Sequence, residues 1–431
     1  MLKSIFTQIW NRKQSNSWVV LELLLVFCLI WFMVDYFFVL GYNYNIPNYR
    51  DTNHTWQVNL LQYVPEHPSY KAEENEPEAM EANYNRILQR LQNYQAIEAV
   101  SVAANGATPG SGSYEGTTYR TNDTTSVGGQ KIRIDLRYDF FRVFAYTSDK
   151  GKKAVSVPDF DWKNAHAIVV SHSVAAYLFP NGSAIGQEIG IGREGEEKSV
   201  IIGVVDDIKR FHYQRPQHAF YVPERFNPIY RYTEISIRSS ASIPDAVFQE
   251  TFKKEMTNVL QVGNFYLKDV ISYNTIGKEM DSMFGLTNNI RIHLYLMIFF
   301  LLNILLCVLG TFWYRINVRR EEIGLRKALG ANRQGIRNTL LLEGLCLLTI
   351  AFLPAMLIEY QFVRADLIET LGVVSGNTDM LRTYLPDRTM LRFLITNGIT
   401  WLIMASVIIT AIWLPARKAA AMPAADALHY E

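Results

Sequence analysis

Two short stretches bring together side-chain types that enzymes use for nucleophilic or acid–base catalysis. Ser171, His172 and Ser173 place hydroxyl groups on both sides of a general base, and Asp206 and Asp207 form a carboxylate pair. Successive side chains of a strand point to opposite faces, so neighbouring serine and histidine side chains there do not meet. Adjacent acids at the end of a strand are typical of a solvated turn. We therefore predict that the chain is not an enzyme.

Motifs for metal and nucleotide binding are also missing from the sequence. Its eight histidines form neither an H-E-x-x-H motif nor an i, i+4 pair, so we expect no metal site. There is no G-x-x-x-x-G-K-S/T run, so the chain lacks the phosphate-binding loop of P-loop proteins. The net charge of +1 and the charged fraction of 19% exclude a highly basic nucleic-acid binder. We expect no cofactor in this chain and no nucleic-acid partner.

The most specific pattern is at residues 319–332, RREEIGLRKALGAN, where basic side chains lie between apolar ones. An amphipathic basic helix of this kind lies on anionic lipid or binds a soluble partner. Gly324 and Gly330 favour the partner, because each glycine costs about 1 kcal/mol in helix propensity. A helix that only lies on lipid needs neither the bend nor the close approach that glycine allows. We predict a docking helix here, with membrane lipid as the alternative partner.

Four apolar runs are long enough to cross a bilayer. The first has 23 residues with only Glu22 and Asp35 ionisable, and at 1.5 Å per residue it spans about 34 Å. A cleaved signal peptide, the alternative for this run, has an apolar core of only about 7–15 residues. The predicted transmembrane helices are residues 18–40, 292–315, 340–360 and 390–414.

Charge predicts the orientation of these helices. Residues 1–17, 315–339 and 415–431 together carry 12 basic and 4 acidic residues, whereas residues 41–291 carry 26 basic and 29 acidic ones. Because basic residues accumulate on the cytoplasmic side, both termini and the connection at 316–339 are predicted to be cytoplasmic. Residues 41–291 and the short loop at 361–389 then lie on the opposite, periplasmic side, and residues 415–431 form a cytoplasmic tail.

Residues 41–291 have the mixed patterns of an α+β domain. Residues 77–94 place apolar side chains on one helical stripe, and residues 131–137 alternate as in a strand with one solvated face. Residues 43–70 are predicted to be irregular, and residues 105–130, rich in Gly, Ser and Thr, to form a long loop or a hairpin connection. The predicted fold is a membrane α-helical protein of four transmembrane helices with this large mixed α+β domain inserted between helices 1 and 2.

Residues 320–331, with the pattern R-x-E-I-G-x-R-K-A-L-G-A, resemble the signature of MacB/FtsX-type ABC transporter permeases of the mechanotransmission class (type VII). LLEG at 341–344 and LPARKAAAMPAADAL at 414–428 are similar to the same family. Within 41–291, FFRV, IVVS, AIGQEI and VIIGVVDD follow in the order of the family's periplasmic domain. The resemblance covers residues 18–430, apart from 43–75 and 105–130.

The resemblance implies a partner and a mechanism. Two permeases, either two copies or a copy and a paralogue, pair in the bacterial inner membrane above two soluble ATPases like MacB, LolD or FtsE, which hold ATP and Mg. Since only 17 residues precede the first helix, we expect the ATPase on another polypeptide. Residues 270–289 lie where the stalk to the periplasmic domain belongs. The coupling helix would contain Arg320, Glu322, Ile323, Gly324, Arg326, Lys327 and Gly330.

The resemblance leaves the cargo open. Efflux, export or extraction of a periplasmic substrate (antibiotic, peptide or lipoprotein) is favoured by the large external domain, and the family allows a periplasmic adaptor and an outer-membrane channel as further partners. The alternative is an FtsX-like transmembrane regulator of a periplasmic cell-wall hydrolase. A membrane-anchored sensor without an ATPase is disfavoured by the glycine-bearing docking motif.

Overall fold

The structure, a computed structural model, describes residue 7 and residues 9–11, 13–113, 115–121, 125–164, 166–191, 197–226, 233–365 and 389–423. Most of the predicted loop at 361–389 and the end of the predicted tail at 415–431 lie outside these residues. The chain divides into two compact units. We call Met1–Tyr42 with Gly285–Glu431 the membrane unit, and Asn43–Phe284 the extramembrane domain.

The described α-helices are, in chain order, α1 (Lys13–Asn45), α2 (Pro77–Gln92), α3 (Phe140–Val143), α4 (His172–Leu178), α5 (Asp245–Val259), α6 (Tyr273–Met283), α7 (Leu286–Val318), α8 (Arg320–Ala328), α9 (Arg333–Arg364) and α10 (Thr389–Ala421). The described strands are β1 (Thr55–Gln62), β2 (Ile97–Ala104), β3 (Gly116–Arg120), β4 (Ser126–Ile134), β5 (Thr147–Ser148), β6 (Lys153–Ala154), β7 (Ala167–Ser171), β8 (Glu188–Ile191), β9 (Glu197–Val205), β10 (Ile208–Lys209), β11 (Pro216–Gln217), β12 (Ala219–Pro223), β13 (Thr233–Ser239) and β14 (Phe265–Ser272).

In the membrane unit, α1, α7, α9 and α10 are the four described helices that are long and apolar enough to cross a membrane. They share one apolar core, in which Phe27, Ile304, Leu348 and Ile412 are buried. Each helix continues for several residues beyond the apolar run that predicted it. The four helices and the mixed domain between the first and second confirm the predicted fold class.

Residues 270–289, the predicted stalk, do not form one helix. The strand β14 continues to Ser272, whose hydroxyl caps α6 by accepting a hydrogen bond from the backbone N–H of Thr275. Gly285 precedes α7 with a φ of 76°. This left-handed conformation is strained for side chains with a Cβ, so glycine is the residue that allows the helical path to be interrupted here.

The extramembrane domain contains a four-stranded antiparallel sheet of order β14-β1-β13-β2. The chain runs β1-α2-β2, then after a long insertion β13-α5-β14, which is the ferredoxin-like βαββαβ arrangement. The apolar stripe of α2, with Ile87, Leu88 and Leu91, is fully buried against this sheet, and Phe252 of α5 shares the same core. The predicted helix at 77–94 is confirmed.

The insertion between β2 and β13 forms a closed ring of strands. From β4 the order continues through β3, β8, β9 and β7 to β12, and β12 pairs back with β4 in parallel register, Phe220 opposite Lys131. The aromatic side chains of Phe140, Phe141 and Tyr221 pack on one another next to the ring. Closure removes the exposed edges that an open sheet of these strands would have.

One sequence prediction for this domain is wrong: residues 43–70, predicted to be irregular, contain β1, in which Trp56 and Val58 are buried. Within residues 105–130 the hairpin alternative is confirmed, because β3 and the beginning of β4 pair in antiparallel register, Gly116 opposite Gln130. A register shift between Asn59 and Leu60 interrupts the alternation of β1, and a bulge of this kind hides the period of a strand. The strand β3 is short and rich in small residues, but it gains partners on both sides, β4 and β8.

Candidate docking site on the connection between the second and third membrane helices

The connection between α7 and α9 is the short helix α8. Its first turn carries Glu321 and Glu322 and its last turn Arg326 and Lys327, so acidic groups lie at the positive end of the helix dipole and basic groups at the negative end. Such an arrangement stabilises a helix of only nine residues.

A Schellman motif ends α8. Gly330 has a φ of 93°, and its N–H donates to the carbonyl of Lys327. The N–H of Ala331 donates to the carbonyl of Arg326 at 3.0 Å. These are the two hydrogen bonds of the motif, which needs a left-handed residue at the position of Gly330. The second glycine of the sequence motif therefore ends the helix.

The two faces of α8 differ in burial. Ile323 is only 7% exposed and Gly324 is buried, so this face packs against the membrane unit. Leu325 and Leu329 are 55% and 79% exposed. At 3.6 residues per turn they lie roughly 200–240° around the helix from Ile323, on the opposite face. An apolar pair at i, i+4 on an exposed helix face, outside the apolar runs, is suited to contact another molecule.

Charged groups stabilise α8 and connect it to the membrane unit. Arg326 donates to Glu322 at 2.5 Å within the helix, and Lys327 Nζ donates to the backbone carbonyl of Met422, just after α10. Burial and, to a smaller extent, the nearby Arg333 lower the pKa of Lys327. The Lys327 contact connects α8 directly to the C-terminal end of α10.

A buried ion-pair cluster lies where α8 begins. Glu343 of α9 binds Arg315 at 3.3 Å and Arg319 at 2.8 Å, and all three side chains are buried. Arg319 also reaches Glu322 of α8 at 3.9 Å. Because two arginines share one carboxylate, α7, the start of α8 and α9 are held together at this point. We call Arg315, Arg319 and Glu343 the clamp.

Gly344, beside the clamp, allows close packing of α9 and α10. A Cβ at this position would lie 2.2 Å from Cδ1 of Ile412 and 3.0 Å from Cγ2 of Ile408. Both isoleucines are buried in the core of the membrane unit. The LLEG sequence thus supplies the acid of the clamp and the small residue that brings α10 close.

We expect Gly344→Val to destabilise the membrane unit by about 1–3 kcal/mol, because the added methyl groups overpack a filled interface. Thermal unfolding of the purified full-length chain in detergent measures the change. Gly310→Val in α7 is the matched control, since a Cβ there meets nothing within 4 Å. Equal melting temperatures for the two variants would contradict this role of Gly344.

The predicted coupling residues differ in burial and in structural role. Ile323 and Gly324 are buried, and Arg320 and Lys327 are half-buried. Glu322 and Arg326 pair with each other, and Gly330 ends the helix. Sequence reasoning missed the exposed apolar pair Leu325 and Leu329 as a site, and it also missed the clamp. The available signals for the clamp were Glu343 inside an apolar run and the two arginines at the C-terminal end of α7.

In the extramembrane domain the structure brings together a different serine–histidine pair from the one considered in the sequence. Ser173 Oγ lies 2.9 Å from Nδ1 of His218, and Asp207 accepts a hydrogen bond from the backbone N–H of Ser173 rather than from the imidazole. Burial lowers the pKa of His218, and Asp207 partly opposes this. The carboxylate thus positions the backbone at the start of α4 rather than the histidine ring.

Comparison with known proteins identifies the class of the C-terminal part of the chain. Residues 294–424 match the family model described as FtsX-like permease C-terminal. The match contains α8, the clamp residues and Gly344. It confirms the resemblance seen in the sequence for this part of the chain, which is an FtsX-like permease C-terminal domain.

Solved structures are similar to about half of the chain. One is the periplasmic region of MacB from Actinobacillus actinomycetemcomitans, with 13% identity and a TM-score of 0.31 over 54% of this chain and 94% of that one. The extracellular domain of the noncanonic ABC-type transporter YknZ from Gram-positive bacteria has 16% identity and a TM-score of 0.28, over 49% of this chain and 100% of that one. A domain of a putative permease protein from Porphyromonas gingivalis has 11% identity and a TM-score of 0.30, over 51% of this chain and 92% of that one. No curated protein sequence matches the chain.

Proposed function

We propose that this chain is the permease subunit of an ABC transporter, in which a separate ATPase drives conformational change in a periplasmic domain. The observation that carries the proposal is the exposed pair Leu325 and Leu329 on a helix whose other face is fixed to the membrane unit. A soluble ATPase that binds this pair would transmit its movement through α8 to α7 and α9. The FtsX-like permease domain supports this role.

The clamp supports the same route of transmission. A helix that couples a soluble subunit to membrane helices must move with them, and Glu343 ties α9 to Arg315 of α7 and to Arg319 at the start of α8. The Lys327 contact adds α10 to this connection. Movement of α8 would then reach three of the four membrane helices.

The remaining parts of the proposal follow from charge and family. Both termini and α8 are cytoplasmic, the extramembrane domain is periplasmic, and the membrane is the bacterial inner membrane. The permease works as a dimer with a second copy or a paralogue. It exports or extracts a periplasmic substrate, with an adaptor and an outer-membrane channel as further partners. ATP and Mg bind the ATPase, and this chain contributes no catalytic residue.

Purification of the full-length chain from its native membranes tests the proposal. We expect an ABC ATPase to copurify in stoichiometric amount and to be identified by mass spectrometry. The complex should hydrolyse ATP, and the separated chain should not, because the sequence has no P-loop. Purification without an ATPase, or equal hydrolysis by the chain alone, would overturn it.

A further inference from the structure

Four carboxyl groups lie within the described membrane helices, and one of them is fully buried without a bound basic side chain. Asp35 of α1 binds Arg392 of α10 through two contacts, one of them 2.8 Å long. Glu343 binds the two arginines of the clamp, and Glu22 accepts a hydrogen bond from a cysteine thiol at 2.8 Å. Glu359 of α9 is fully buried, and among the described residues neither of its carboxyl oxygens has a hydrogen-bond partner.

Among the residues that the structure describes, no basic side chain binds Glu359. The groups that face it are Cys28 and Asp35 from α1 and Asn397 from α10. Arg392 already binds both oxygens of Asp35. An ionised Glu359 would therefore add a second carboxylate to a buried site with one arginine.

An unpaired charge inside a membrane bundle is strongly unfavourable, and such a group is compensated by an ion or becomes neutral. The part of the chain that the structure describes has no group of three or more His, Cys, Asp or Glu side chains suited to a metal ion. The smallest compensating ligand for a fully buried carboxylate is a proton. Neutral Glu359 also fits a site that contains a thiol and an amide as its polar neighbours.

We propose that Glu359 is a proton-binding site inside the membrane unit. The carboxyl group carries its proton while α1, α9 and α10 are packed as they are here. When the helices separate and water reaches the carboxyl group, the proton leaves and Glu359 becomes an ordinary carboxylate. This site is independent of the docking site on α8.

Infrared spectroscopy of the full-length chain tests the proposal, because a protonated carboxyl group has a carbonyl stretch that a carboxylate lacks. We expect this band at pH 7 in detergent or nanodiscs, and we expect Glu359→Gln to remove it from the difference spectrum. Unfolding in SDS at the same pH should also remove it, since glutamate in water titrates near pH 4.3. A spectrum without the band, or a band that Glu359→Gln leaves unchanged, would overturn the proposal.

The matched comparison is with Asp35, the neighbouring acid that has a cation. Glu359→Gln replaces a neutral acid with an amide of the same shape, so we expect the melting temperature to stay unchanged. Asp35→Asn leaves Arg392 without its carboxylate, so we expect a lower melting temperature and no loss of the Glu359 band. A loss of stability in Glu359→Gln as large as that in Asp35→Asn would show that Glu359 is ionised, and would also overturn the proposal.

Discussion

The Glu343→Ala variant of the full-length chain, purified in detergent, is expected to lose about 3–5 kcal/mol in the free energy of unfolding of its membrane unit. Glu343 binds both Arg315 and Arg319, and all three side chains are buried. Its removal leaves two buried guanidinium groups without the carboxylate that they share, and the 3.9 Å contact of Arg319 with Glu322 is too long to replace it. Thermal unfolding monitored by circular dichroism measures the loss.

Two controls separate the clamp from a general effect of removing an acid. Glu321→Ala removes an exposed carboxylate from α8, and we expect a change within about 0.5 kcal/mol. Replacing Arg315, Arg319 and Glu343 together by leucine removes the charges and their partner at once, and apolar replacement of a whole buried ion pair is often neutral or stabilising. Similar losses for the single Glu343 variant and the triple variant would contradict the clamp.

The membrane helices are the part of the fold that sequence predicts well, because their signal is local. An apolar run such as that around Phe27 has the length of a bilayer crossing, whatever it packs against. Sequence also predicts α2, whose Ile87, Leu88 and Leu91 repeat with the period of a helix. In both cases the residues that specify the element lie close together in the sequence.

The strand pairings cannot be predicted in this way, because they join partners that are distant in the chain. The edge strand β14 pairs with β1, about 210 residues earlier, as the Asn59–Asp269 contact shows. Ring closure requires β12 to return to β4. Local sequence patterns do not specify which distant strands pair. The register shift in β1 also removes the alternation of apolar and polar residues by which a strand is recognised.

The docking site could also be predicted from the sequence only in part. The motif predicts a helix here, but it places Gly330 within that helix rather than at its end. Apolar residues occur on both faces of α8, and only the fold decides which face is buried. Ile323 packs inward and Leu325 outward. The clamp joins residues 24 and 28 positions apart, so sequence indicates only that Glu343 is an unusual residue in its apolar run.

The double variant Leu325→Gln, Leu329→Gln is expected to weaken binding of the ATPase at least about 100-fold. Burying a leucine is worth about 1.5–3 kcal/mol, and about 1.4 kcal/mol corresponds to a factor of ten in affinity. Glutamine is a good helix former and adds no charge, so α8 and its dipole interactions remain. The affinity of the purified ATPase for the chain in nanodiscs measures the effect.

Three comparisons identify the cause of that loss. Leu325→Met, Leu329→Met keeps the surface apolar and should bind nearly as well as the wild type, whereas the glutamine variant should unfold at the wild-type temperature. Ile323→Asp should instead lower the melting temperature, because this side chain is buried against the membrane unit. If the two leucines only contact lipid, the glutamine variant retains its ATPase and its α8 becomes more accessible to water. That result would contradict docking on this face and would favour a helix that lies on lipid. The same apolar pair could contact either lipid or the ATPase, so only loss of ATPase binding distinguishes the two arrangements.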